Sequence, residues 1–101
     1  MSKLNEQSSA LEIQVAIDAL PELSRTVYDA IETSLYAEAY FSDVEWSDII
    51  HQSGCTKQQV SGVAKKLVET GLVYLEDADV NGKQYDFVHA LAHDLEVGSF
   101  A

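Results

Sequence analysis

Between Ser47 and Gly71 the apolar positions fall into two short helical stripes separated by a tight polar turn. In the second, Val60, Val63, Ala64, Leu67 and Val68 recur at the spacing of one buried helical face, and Lys57, Gln58, Ser61, Gly62, Lys65 and Lys66 occupy the other. Thr56 followed by Gln59 forms a reciprocal capping pair, so this helix is expected to begin at Lys57. In the first stripe Ile49 and Ile50 point inward. Ser47 is the expected cap, and Gly54 is placed to end the helix in the left-handed conformation.

The pattern changes period after Gly71. Leu72 to Leu75 is an apolar, β-prone run, and Gln84 to Val88 returns with Tyr85, Phe87 and Val88. Asn81-Gly82 between them is a strong signal for a type I′ hairpin, because both residues tolerate positive φ. Upstream, an amphipathic helix is predicted from about Pro21 to Ala39, burying Leu23, Val27, Ile31 and Leu35 and turning Glu22, Asp29, Glu32 and Glu38 outward. Tyr36, Tyr40 and Phe41 crowd its end, and Val44 with Trp46 could form a short strand against the hairpin. Residues 11–19 alternate as a half-buried strand would, yet Ser9 with Glu12 makes a capping box and Ile13, Ile17 and Leu20 fit a helical face. Helix is the preferred reading. Residues 1–8 are expected to be a flexible tail and residues 9–101 one domain, since 47% hydrophobic content over 101 residues supplies a single core.

The expected class is therefore α+β, mainly α with a small antiparallel hairpin. Helix, turn, helix, hairpin is also the order of a winged helix-turn-helix. The chain resembles the winged-helix regulators of the broad MarR and ArsR type: Leu67 followed by Gly71, Leu72 and Val73 looks like their exit from the recognition helix, and Asn81-Gly82-Lys83 like their wing tip. The resemblance covers roughly residues 21 to 90. It implies a homodimer that binds duplex DNA and regulates transcription. The wing departs from the family pattern, reading Glu76, Asp77, Ala78, Asp79 with Lys83 as its one base.

Charge sharpens that expectation. The net charge is −11, but residues 49–68 hold three lysines and no acid, whereas residues 1–48 hold ten acids against two bases and residues 69–101 seven against one. Phosphate contacts supply most non-specific nucleic-acid affinity, and the one basic island falls on the predicted recognition helix. The candidate DNA-binding residues are accordingly Lys57, Gln58, Ser61, Gly62, Lys65, Lys66 and Lys83. Gln58 and Ser61 would read base edges, the lysines would hold phosphates, and Gly62 would allow close approach of the backbone. Gln59 is committed to the cap. The alternative is an acidic winged-helix module, or DNA mimic, that meets a basic protein partner without binding DNA.

Other chemistry is thinner. The single cysteine, Cys55, excludes an intramolecular disulfide and is expected to tuck under the turn; a redox-sensing thiol is the other reading. Asp86, His89, His93, Asp94 and Glu96 offer loose metal-ligand spacing, of which His89 and His93 are the weak candidates, against a simpler reading as solvated surface histidines. No nucleophile elbow, phosphate loop or paired zinc motif organises the acids and histidines, so neither an enzyme nor a cofactor is expected. The polar start and the lack of an apolar run of roughly 18 residues point to a cytoplasmic protein with no membrane partner.

Overall fold

The computed structural model describes residues 3–37 and 44–97. Over them the chain is mainly helical with one two-stranded antiparallel hairpin, an α+β arrangement. The order is α1 (Ala10–Asp18), α2 (Glu22–Ala37), α3 (Trp46–Ser53), α4 (Lys57–Thr70), β1 (Val73–Val80), β2 (Lys83–Ala90) and α5 (Leu91–Val97).

Local chemistry sets most of these boundaries. At α1 the Ser9 hydroxyl accepts the Glu12 amide at 3.1 Å and the Glu12 carboxylate accepts the Ser9 amide at 3.0 Å. That pair satisfies two otherwise free helix-start donors, and the residue 11–19 segment is helical. The Glu12 carboxylate lies below its ordinary pKa because it accepts from the Ser9 backbone and hydroxyl. Thr56 and Gln59 repeat the device at α4, with bonds of 3.1 and 2.9 Å. Gly54 and Gly71 close α3 and α4 at φ of 71° and 85°. Asn81 and Gly82, at φ of 54° and 82°, form the hairpin turn, and Val80 faces Lys83 across it.

α2 is the central element. Val27, Tyr28, Ile31 and Leu35 are fully buried against Ile49 of α3, Val60 and Leu67 of α4, Val88 of β2 and Leu91 of α5. Each side chain of this kind withdrawn from water contributes about 1.5–3 kcal/mol, so the α2 stripe anchors every element that packs on it. Val73, Val88 and Ala90 bury only the base of the hairpin; beyond Leu75 the ribbon stands into solvent.

Several expectations are corrected. Ser47 is the second residue of α3, not its cap: Glu45 occupies the cap, with its amide bonded to the Asp48 carboxylate at 2.9 Å and its carbonyl accepting the Asp48 amide. Leu23 is 39% exposed, because the buried stripe of α2 runs through Ser24, Val27, Tyr28 and Ile31 and leaves the first-turn leucine at its edge. Ile50, Ala64 and Val68 are half-buried. Val44 and Trp46 form no strand: Val44 gives β2 one backbone bond, from the Val88 amide at 2.7 Å, and α3 begins at Trp46, before a ladder can develop. Tyr40, Phe41 and the expected last residues of α2, Glu38 and Ala39, lie outside the described residues.

Within the segment expected to be a flexible tail, residues 3–8 are described and make specific bonds. The Leu4 amide donates to the Thr70 carbonyl at 3.0 Å, and Asn5 and Ser8 close a polar turn before α1. Leu4 crosses the end of α4 so closely that a Cβ on Gly71 would stand 2.1 Å from the Leu4 carbonyl oxygen.

Candidate nucleic-acid interface

The turn of Gly54, Cys55 and Thr56 delivers α4 with its start satisfied and its apolar stripe, Val60, Val63 and Leu67, turned to the core. The opposite face follows by helical geometry. Lys57, Gln58, Ser61, Gly62, Lys65 and Lys66 are all exposed, so the structure gathers six of the seven predicted site residues on one surface. From Lys57 to Lys66 that surface runs about 14 Å along the helix axis. Among the described residues none of its lysines is in an ion pair. Gln59 is held in the cap as expected.

Gly62 is the least ordinary member of the face. A glycine inside a helix costs roughly 0.8–1.0 kcal/mol relative to alanine, and here nothing inside the protein requires it: a Cβ would meet no heavy atom within 4 Å. The bare backbone faces open space.

Lys83, the seventh residue, stands beside the turn with its Nζ 5.1 Å from the Tyr85 ring centroid. Its side of the ribbon carries an aromatic ladder, with Tyr85 on Phe87 at 5.6 Å and Tyr74 on His89 at 5.0 Å. The other side is acidic. Asp77 faces Asp86 in register, and a hydrogen bond between the two, with lesser contributions from burial and from the Asp77 charge, raises the Asp86 carboxyl above its usual range. At physiological salt such charges are screened beyond roughly 8 Å, so they act on what touches the ribbon more than on α4.

Cys55 is half-buried against the core, its amide donating to the Ser53 hydroxyl at 3.2 Å, which is the packing position expected of it.

His89 and His93 are not solvated surface residues. His89 lies under Tyr74, and His93 is 6% exposed with the Tyr36 ring edge-on at 4.7 Å. Nor do they form a metal centre with their neighbours: among the described residues no group of three potential ligands converges, and Asp86 points away on the ribbon opposite Asp77. A buried polar cluster occupies the place instead. Asp94, 2% exposed, accepts the Tyr74 hydroxyl, and the His93 Nδ1 lies 3.6 Å from its other oxygen. Burial, then the bond to Asp94, raises the Tyr74 phenol well above its ordinary pKa. Sequence reasoning missed this pairing, for no local spacing signals a bond between a strand and a helix 20 positions further on. Tyr28 and Glu32, four apart on α2, bond at 2.8 Å at a helical spacing that could have been read.

No family model matches the chain, and no match appears among curated proteins or solved structures.

Proposed function

We propose that the protein is a cytoplasmic winged-helix transcriptional regulator that binds duplex DNA as a homodimer, with α4 in the major groove. The observation that carries this reading is the outward face of α4: three lysines with no ion pair among the described residues flank exposed amide and hydroxyl groups and a glycine that the fold does not need. Lys57, Lys65 and Lys66 hold phosphates and set register, Gln58 and Ser61 meet base edges, and Gly62 lets the helix backbone approach. Lys83 is the wing's single phosphate contact. The elements α3, α4 and hairpin stand in the order of the winged-helix class, with Val44 giving the one backbone bond that a first strand would extend. Dimerisation through α1 is supported by Leu11 and Val15, 74% and 58% exposed one turn apart on the side away from Ile13 and Ile17.

Mobility shifts on a randomised duplex library at low and moderate salt test the reading. Replacing Lys65 and Lys66 by alanine should weaken binding on all sequences and flatten the salt slope by about 0.9 per lost contact. Gln58→Ala should cost about 1–3 kcal/mol on the preferred sequence alone. A wild-type chain that retards no duplex at low salt refutes the proposal. The second reading, a module for a basic protein partner, then takes its place, favoured by the facing carboxyl groups of Asp77 and Asp86 on the ribbon.

A further inference from the structure

An open groove of about 450 Å³ lies between α1, α2 and α5, lined by no residue of α3, α4 or the hairpin. Its volume falls in the range of roughly 300–1,000 Å³ that pockets for small ligands and side chains occupy. Ile13 and Ile17, themselves nearly buried, lie at the bottom of the groove, and its accessible apolar surface is supplied by Leu95 and Tyr36, 37% and 47% exposed. Three charged side chains reach the walls: Arg25, Glu32 and Glu96. The guanidinium is already committed. Its Nε donates to Asp29 at 3.0 Å, and its Nη1 lies 3.4 Å from both the Ile17 carbonyl and Asp18.

The two glutamates are different. Each is held by one phenol, Tyr28 donating to Glu32 at 2.8 Å and Tyr36 to Glu96, and among the described residues neither has a cationic partner. A phenol orients a carboxylate without cancelling its charge. Both phenols keep their protons over the whole physiological range: the bond to Glu96, then burial, pushes Tyr36 up to about 12, and burial, then the bond to Glu32, raises Tyr28 further. The groove therefore joins an apolar surface to two fixed and unneutralised negative charges.

We propose that this groove docks a cationic amphipathic segment of a partner protein, with an apolar side chain against Leu95 and Tyr36 and lysine or arginine side chains at Glu32 and Glu96. Charge complementarity selects that occupant. Two copies meeting symmetrically at this groove would set Glu32 and Glu96 against the same glutamates, with Arg25 already committed, whereas a basic helix gains at both. Docking there leaves the exposed face of α4 free, so the inference does not rest on DNA binding.

The test is a titration of the isotope-labelled protein with a synthetic lysine–leucine peptide patterned as an amphipathic helix, followed by amide shifts, with a glutamate–leucine peptide as control. Two charge-matched variants accompany it: Glu32→Gln with Glu96→Gln, which keeps an acceptor for each phenol, and Asp77→Asn with Asp79→Asn on the hairpin. Saturable shifts at Ile13, Ile17 and Leu95, absent with the acidic peptide, are expected. The groove pair should weaken binding about tenfold and the hairpin pair by less than about twofold. Equal weakening by both pairs would reduce the effect to general attraction and overturn the proposal. So would shifts that centre elsewhere, an absence of saturable binding, or a dimer in sedimentation that Leu95→Glu dissociates, since the groove would then belong to a second copy.

Discussion

Gly62→Ala separates what the fold needs at α4 from what a ligand would need there. The residue is inside the helix, where alanine is preferred over glycine by roughly 0.8–1.0 kcal/mol because glycine loses more backbone freedom on folding. No steric term opposes the gain, for the new methyl meets nothing within 4 Å. The variant should be more stable by about 1 kcal/mol, which for a domain of this size raises Tm by about 4–8 °C. Thermal unfolding followed by circular dichroism, with a denaturant series to check that the m-value is unchanged, measures it. In the proposed function the same methyl projects toward DNA, so the stabilised protein should bind its operator more weakly. Gly71→Ala is the contrasting control. There φ is positive and the Cβ would strike the Leu4 carbonyl, so the change must destabilise. Loss of stability in Gly62→Ala would refute the placement of residue 62 on an open helix face; a stabilised variant with undiminished DNA affinity would refute the close-approach role.

Two further outcomes follow from the polar interactions. Tyr74→Phe removes the hydroxyl that donates to the buried Asp94 carboxylate and should cost about 1.5–3 kcal/mol in denaturant unfolding; a loss within error would show that Asp94 does not depend on that donor. Asp86 binds its proton more tightly in the folded than in the unfolded chain, so its favourable contribution is present below the unfolded pKa and is lost as pH rises through the folded one. Asp86→Asn should therefore raise Tm at neutral pH and lose that advantage on acidification; a gain independent of pH would contradict the raised affinity of Asp86 for its proton beside Asp77.

What the amino-acid pattern revealed was mostly what short segments decide. The Ser9–Glu12 and Thr56–Gln59 boxes, the turns at Gly54 and Gly71 and the Asn81-Gly82 hairpin each depend on residues within a few positions, and each was readable. Ser47 failed as a cap because Glu45 with Asp48 competed two residues earlier, a choice that propensity alone ranks wrongly. The six-residue face of α4 was legible from helical period, but not the groove, which exists only because α1 and α5 flank α2. His89 and His93 looked solvated for the same reason: what covers them is Tyr74 and Tyr36, supplied by other elements.

The strap that Leu4 lays over Gly71 bears on the order in which the chain assembles. Its two partners, Leu4 and Thr70, lie far apart in the chain, and at about 5–20 residues per second several seconds of synthesis separate them. For that interval Leu4 has no place to dock. Once Thr70 and Gly71 arrive the length of the intervening loop matters little, each doubling costing only about 0.6 kcal/mol, so seating of the strap is governed by completion of α4 and not by search. Leu4, made before α4, thus settles only after it, and closes over the junction through which α4 hands the chain to the hairpin.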